Sequence, residues 1–206
     1  MTNYSGKYLG DEFFEPFFEV LNKRNIVVYI HPTDPGFDFD FGLNMPNALV
    51  EAPFDTTRAV ANMMFNGVLD RYPDIIFILS HGGGTIPYVA WRLAGIEYGQ
   101  NDKRPPIFRA LYDFLVNREP TKGLNHLRKM YFDTANVSGS YAVKTLQSFA
   151  GPDHLVFGTD LCISKLAAII TKNLEKDGDF TEEEYNKMAY GNCLELFPVL
   201  KEYYNQ

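Results

Sequence analysis

Asp74-Ile75-Ile76-Phe77-Ile78-Leu79-Ser80-His81-Gly82-Gly83-Gly84 is the stretch from which the fold is read. Its apolar run is short, continuous and rich in β-branched residues, and Tyr72-Pro73-Asp74 opens it. That combination predicts a strand buried on both faces. The run ends on an imidazole and then loses all side-chain bulk for three residues. Gly82 to Gly84 can take backbone conformations closed to other residues, admitting a ligand or a neighbouring backbone. A helical segment, Thr85 to Gly95, follows at once. Strand, polar tip, tight turn and helix make half of a β/α unit, and in parallel α/β folds that tip is where chemistry is done.

Upstream, Asn25 to Ile30 is a second buried strand, ending on His31-Pro32. Asp11 to Arg24 precedes it as a helix, with Pro16 suited to its first turn and Phe13, Phe14, Phe17, Phe18 and Leu21 as a core stripe. Thr33 to Pro53 is long and without regular period, as expected of a lid or binding loop. Phe54 to Arg71 resumes as a helix capped by Asp55 or Thr56.

Downstream, Tyr88 to Tyr98 continues the helix, Asn101 to Pro106 breaks it, and Ile107 to Val116 is helical again. Lys129 to Ala135 predicts a third strand, with Asp133 near its end. A short helix, Tyr141 to Phe149, leads through Gly151-Pro152 to a fourth strand, His154 to Gly158, which ends on Thr159-Asp160. Three helices close the chain: Leu166 to Leu174, Thr181 to Tyr190 with a Thr181/Glu184 capping box, and Leu194 to Tyr204. This alternation implies an α/β fold with a parallel sheet and right-handed crossovers, in a single domain over residues 1–206.

The 206 residues are 46% hydrophobic and 22% charged, the balance of an ordinary soluble globular protein. No apolar run approaches the roughly 20 residues that span a bilayer, and Met1 to Gly6 lacks a signal pattern, so no membrane is expected. A formal charge of −7 without a basic stripe argues against nucleic acid. Cys162 and Cys193 show no CxxC spacing, which suits free thiols in a reduced, cytoplasmic setting; Cys162 reads as lining beside Asp160. There is no Gly-x-Ser-x-Gly elbow beside the His-Gly-Gly-Gly run, no P-loop, no Gly-x-Gly-x-x-Gly and no His-Glu-x-x-His.

What remains is a constellation. His31, His81 and Asp160 stand at three strand tips, and Asp133 near the fourth. Imidazole nitrogen, one carboxylate oxygen and an open position are what a zinc-type site needs, and water bound to such an ion falls to a pKa of about 7. Each residue also has a plainer reading. His31 can be a strand-end histidine bonded to backbone, Asp160 a helix cap, and Arg92 a surface residue. Asp133 reads as a structural carboxylate holding strand tips together, and Trp91 as packing on its helix.

Ile30-His31-Pro32, Ser80-His81-Gly82-Gly83-Gly84 and Phe157-Gly158-Thr159-Asp160, in that order, resemble the second half of the amidohydrolase-related family. The branch is that of aminocarboxymuconate-semialdehyde and hydroxybenzoate decarboxylases. Arg71-Tyr72-Pro73-Asp74, Pro87, Arg92, Asn192 and Leu196-Phe197-Pro198 fit as flanking text. The resemblance implies a metal-dependent-hydrolase TIM barrel reduced here to about strands 5–8 plus C-terminal helices, with Met1 to Gly6 as the end of strand four. It implies His31 and Asp160 as metal ligands and His81 as the group that orients or deprotonates metal-bound water or protonates the substrate carbon. Arg92 would reach a substrate carboxylate in a neighbouring subunit. It implies one divalent ion, zinc ahead of manganese, and a small cyclic or aromatic carboxylate as substrate, with decarboxylation ahead of hydrolysis.

The sequence departs from that family in one respect: it contains no His-x-His. The only other histidines are His126, in a polar segment, and His154, expected on the face opposite the site. Two ligands short, the ion would be weakly held or absent, and this chain alone would turn over little or nothing. A truncated, non-catalytic fragment is therefore the competing expectation. Half a barrel also leaves unpaired strand edges, near Ile26 to Ile30 and His154 to Phe157, which favours a homo-oligomer or another association that covers them.

Overall fold

The computed structural model describes residues 1–33, 44–101, 103–116, 121–161 and 166–204. The chain opens with a small antiparallel hairpin, β1 (Asn3–Tyr4) against β2 (Lys7–Tyr8). Met1 to Gly6 is therefore not a strand of the parallel sheet; Ser5 and Gly6, both at positive φ, reverse the chain between the two strands. Helix α1 (Glu15–Lys23) leads into β3 (Val27–Ile30), followed by α2 (Ala48–Phe65), α3 (Val68–Arg71) and β4 (Ile76–Leu79). Then come α4 (Ile86–Asn101), α5 (Pro106–Val116), α6 (Thr121–Arg128) and β5 (Tyr131–Asp133). Helix α7 (Ser140–Ala150) precedes β6 (Leu155–Val156), and α8 (Ala167–Asp177), α9 (Glu182–Asn186), α10 (Asn192–Leu196) and α11 (Leu200–Tyr204) end the chain.

Strands β3, β4, β5 and β6 form one parallel sheet in sequence order. The register divides its residues between two faces. Ile30, Leu79, Phe132 and Leu155 pair in one row, and all four are fully buried against the helices. Each such burial contributes about 1.5–3 kcal/mol. Tyr29, Ile78 and Tyr131 form the next row, on the opposite face and outside the main core cluster. Tyr29 is accordingly 49% exposed although it sits in a strand.

The two sheet edges differ. On β3 the outward backbone groups of Val27 and Tyr29 meet no backbone partner among the described residues. The β6 edge, expected to be open, is instead capped. The Asn192 side-chain amide donates to the carbonyls of Leu155 at 2.6 Å and Pro152 at 2.8 Å, and the Phe157 N–H donates to the Met188 carbonyl at 3.0 Å. The π turn Lys187–Gly191 carries that carbonyl. A tail that local sequence marks only as helical thus takes the place of a fifth strand.

Other departures have local causes. Helix α2 begins six residues before the expected Phe54 and carries Pro53 inside, so Asp55 is no cap but a buried mid-helix carboxylate. Residues 34–43 of the expected loop, and Cys162, lie outside the described residues. Gly67, at φ +69°, separates α2 from α3, and the Phe197-Pro198 step separates α10 from α11. The polar segment around His126 is helix α6, held to α3 by Asp70, which accepts from Lys122 at 2.7 Å and pairs with His126 at 2.9 Å. Of the phenylalanine stripe only Phe14 and Phe18 are core; Phe13 and Phe17 are more than half exposed, as is Trp91. The Thr181/Glu184 capping box is present.

Asp55 ties the hairpin to the sheet. It accepts hydrogen bonds from the Thr2 hydroxyl, the Tyr8 hydroxyl at 2.6 Å and the Thr33 N–H at 3.2 Å. Burial, and then the carboxylate itself, push the Tyr8 hydroxyl up to about 12. A raised pKa means that this contact stabilises the fold up to about pH 10 and is lost as pH climbs through about 12. Asp55→Ala would take the acceptor from the Thr2 and Tyr8 hydroxyls, the Thr33 N–H keeping Thr2 Oγ1 at 3.2 Å, and we expect it to cost about 2–4 kcal/mol in urea unfolding, against under about 1 kcal/mol for exposed Glu19→Ala.

Candidate metal and active site

The C-terminal ends of the strands bring the singled-out residues together. His31 follows β3 directly, His81 follows β4 by one residue, and Asp160 lies four residues beyond β6. One ligand atom from each lies within 4.8 Å of the others. His81 Nε2 is 3.5 Å and His31 Nε2 4.0 Å from the Asp160 carboxylate, and the two rings meet edge to face with centroids 5.0 Å apart. All three side chains are partly buried. Arg92 stands apart from them, exposed on α4. His154 ends the short turn before β6, at the opposite end of the strands, with its ring 4.8 Å from Tyr131.

The donor set fits a divalent ion. Metal–ligand bonds of about 2.0–2.2 Å in tetrahedral geometry put neighbouring ligand atoms roughly 3.3–3.6 Å apart; the Asp160 carboxylate lies 3.5 and 4.0 Å from the two imidazoles here. His31 Nδ1 lies 2.9 Å from the Pro32 carbonyl, which can only accept. The proton therefore sits on Nδ1 and the Nε2 lone pair faces Asp160, the usual tautomer of an imidazole ligand. The His31 nitrogen and an Asp160 oxygen as ligands, with His81 beside them, would leave further coordination positions open to water or substrate.

The backbone at these tips is strained. His81, Asn136 and Asp160 have φ values of +54°, +56° and +58°. Such left-handed non-glycine residues cost of order 1–3 kcal/mol each and persist only where the surroundings hold them. Three of the six in the described chain gather at this rim.

The surroundings come largely from β5. Asp133, nearly buried, accepts from the Tyr29 hydroxyl at 2.6 Å and from the backbone N–H groups of His81 at 2.7 Å and Ala135 at 3.1 Å. Burial pushes the Asp133 carboxyl upward, while the Tyr29 hydrogen bond leads the influences that hold it down. Burial, then the Asp133 charge, raises the Tyr29 hydroxyl in turn. Asn136 Nδ2 donates to Asp160 Oδ2 at 2.8 Å. Tyr29 and Asn136 have no sequence pattern that marks them; their role depends on register across the sheet. The glycine run serves packing here, since a Cβ on Gly83 would meet the Phe132 ring at 2.7 Å and one on Gly84 the Pro53 carbonyl oxygen at 2.1 Å.

A parallel β/α sheet with two imidazoles and a carboxylate on its C-terminal rim defines a metal-dependent hydrolase type of half-barrel. The chain belongs to the amidohydrolase family: the family model described as "Amidohydrolase" matches residues 1–199. It is 35% identical over 195 residues to a 6-methylsalicylic acid decarboxylase of Penicillium expansum, covering 94% of this chain and 56% of that protein. It is 29% identical over 200 residues to a 2-amino-3-carboxymuconate-6-semialdehyde decarboxylase of Dictyostelium discoideum, covering 95% and 51%. Among solved structures it superposes on a dihydroxybenzoic acid decarboxylase of Polaromonas sp. JS666 with bound manganese. The TM-score is 0.73 at 20% identity, covering 94% of this chain and 56% of that one. The chain thus spans about half the length of the curated relatives it matches. No helix among the described residues is long and apolar enough to cross a membrane.

Proposed function

We propose that this chain carries the metal-binding rim of a decarboxylase acting on a small aromatic carboxylate, of which 6-methylsalicylate is the model. The convergence of His31, His81 and Asp160 on one rim carries the reading, and the similarity to decarboxylases of such acids gives the direction. His31 Nε2 and Asp160 would hold a divalent ion, zinc or manganese. That ion would supply positive charge to anchor and polarise an oxyanionic substrate. His81 Nε2, beside the carboxylate, holds the proton that replaces the departing group: the ring–carboxyl bond breaks, carbon dioxide leaves, and the ring carbon takes the proton. Arg92, exposed on α4, would pair with the carboxylate of a substrate held by a second copy.

The test is release of carbon dioxide from carboxyl-labelled hydroxybenzoates with zinc or manganese, against ester and lactone hydrolysis. We expect slow release, abolished by His81→Ala. Hydrolysis of the esters alone, or release indifferent to His81, would overturn the reading.

Self-association belongs to the same proposal. The unpaired edge of β3, the face bearing Tyr29, and the exposed Ile107, Phe108, Leu111 and Leu115 of α5 are surfaces that a second copy would cover. Sedimentation velocity at micromolar concentration is expected to give a species heavier than the 23.5 kDa chain. A single monomer boundary at every concentration would refute this.

A further inference from the structure

Of the four strands in the sheet, β5 is the one that supplies no ligand atom to the His31–His81–Asp160 cluster. It nonetheless reaches the tips of all the others. Asp133 Oδ2 takes the hydroxyl of Tyr29 on β3, and Oδ1 takes the N–H of His81 beyond β4. Thr134, fully buried, exchanges two hydrogen bonds with Gly158 beyond β6: its hydroxyl donates to the carbonyl at 3.0 Å and accepts the N–H at 3.1 Å. Asn136 then holds the Asp160 carboxylate from the side. Gly158 also lies so close that a Cβ there would sit 3.1 Å from Asp133 Oδ2.

We propose that β5 is the positioning strand of the site, with Asp133 fixing His81 through its backbone N–H and Asn136 fixing the Asp160 carboxylate. The proposal rests on the metal-site reading for its consequence, but not for its geometry. The physical need is plain. His81 and Asp160 both sit in left-handed conformations that cost any residue with a Cβ more than they cost glycine, so contacts outside them help to hold the backbone. A carboxylate accepting two backbone N–H groups and a phenol is rigid, because every oxygen is committed and the group is buried. Partners of this kind set ligand orientation, and their loss typically weakens metal binding by about 10–100-fold.

The chemistry of the two groups separates positioning from bulk charge. In Asp133→Asn the remaining oxygen still accepts the N–H groups, and the new amide can donate to the Tyr29 oxygen, so the geometry survives without the charge. In Asp133→Ala all three contacts go. Asn136→Ala removes the contact to Asp160 from an exposed position that threatens no core, adding only the modest cost of alanine in place of asparagine at φ +56°.

The experiment measures cobalt(II) binding to the full chain by calorimetry and by the visible d–d spectrum of the bound ion. Asn136→Ala is expected to weaken binding by about tenfold, and both it and Asp133→Ala to shift the spectrum, with Asp133→Asn staying within about threefold of the parent and keeping its spectrum. Asn192→Ala, which uncaps β6 far from the rim, serves as a destabilised control and should bind as the parent does. Equal weakening in Asn192→Ala, or parental affinity and spectrum in both alanine variants, would overturn the proposal.

Amide hydrogen exchange on the metal-free protein gives a readout independent of the ion. The His81 N–H should exchange slowly in the parent and in Asp133→Asn; exchange as fast as an exposed loop amide would refute the positioning role. If the parent binds no cobalt at millimolar concentration, the metal reading falls, while this measurement still decides the role of Asp133. Asn136→Ala keeps the binding test informative should Asp133→Ala fail to fold.

Discussion

Gly84→Ala is expected to lower the folding stability of this protein by about 3–5 kcal/mol, a fall in melting temperature of roughly 6–20 °C for a chain of this size. Gly84 has φ +64° and ψ −119°, outside the left-handed helical region and in one that glycine adopts freely and residues with a Cβ do not. The larger contribution is steric. The added carbon would lie 2.1 Å from the Pro53 carbonyl oxygen and 3.0 Å from its carbon. That carbonyl cannot rotate away, being part of α2 and already accepting the Thr57 hydroxyl at 2.8 Å. Thr57 Oγ1 in turn accepts the Thr85 N–H at 2.9 Å, so the start of α4 is pinned to α2 through the crowded spot. Gly95, with open space around its missing Cβ and a place inside α4, is the control: Gly95→Ala should be neutral or stabilising by up to about 1 kcal/mol. Thermal unfolding of the two variants decides the matter. A fall of less than about 2 °C for Gly84→Ala would mean that the close approach is not as drawn.

Asp160→Gly is expected to remove metal binding while leaving the fold intact or slightly firmer. The side chain is the carboxylate of the cluster, facing both imidazoles. Without it His31 is left as the single proposed ligand, and affinity should drop by more than the roughly 100-fold that marks the upper end of losses from supporting residues. The backbone responds in the opposite sense. At φ +58° an aspartate is strained and a glycine is not, so about 1 kcal/mol is returned, offset in part by the entropy of an unfolded glycine. Calorimetry with zinc or cobalt, paired with thermal melts, tests both halves. Binding retained within tenfold, or a melting temperature several degrees lower, would contradict the picture of a strained residue kept for its carboxylate.

That opposition between stability and site geometry explains where sequence reading succeeded and where it stopped. His31, His81 and Asp160 stand out because each breaks a local pattern at the end of an apolar run, and a chain ordered as parallel β/α units must bring such ends to one rim. The reading of Asp133 as a carboxylate that holds strand tips also follows from its place at the end of the third strand, and its hydrogen bonds bear it out. Tyr29 and Asn136 were invisible. A tyrosine within Val27–Ile30 looks like any strand residue until the register turns it to the face opposite the main core, where its hydroxyl meets an acid 104 positions later. Asn136 in a polar turn looks like any turn residue. The spacing of Phe13, Phe14, Phe17 and Phe18 predicts one buried stripe, yet only Phe14, in the turn before α1, and Phe18, within it, are buried. Periodicity names a face without saying how wide its contact will be.

The amino-acid sequence by itself determined the strands, their parallel order, the family and the three groups that converge, because these are written in runs of a few residues and in the order of those runs. Tertiary structure alone decided that α2 starts at Ala48 around a buried Asp55, that Asn192 and Met188 cap β6, and that the end of β5 is hydrogen-bonded to the tips of its neighbours. Each of these depends on hydrogen bonds between residues tens of positions apart, whose partners are chosen by sheet register and helix packing and leave no trace in local composition.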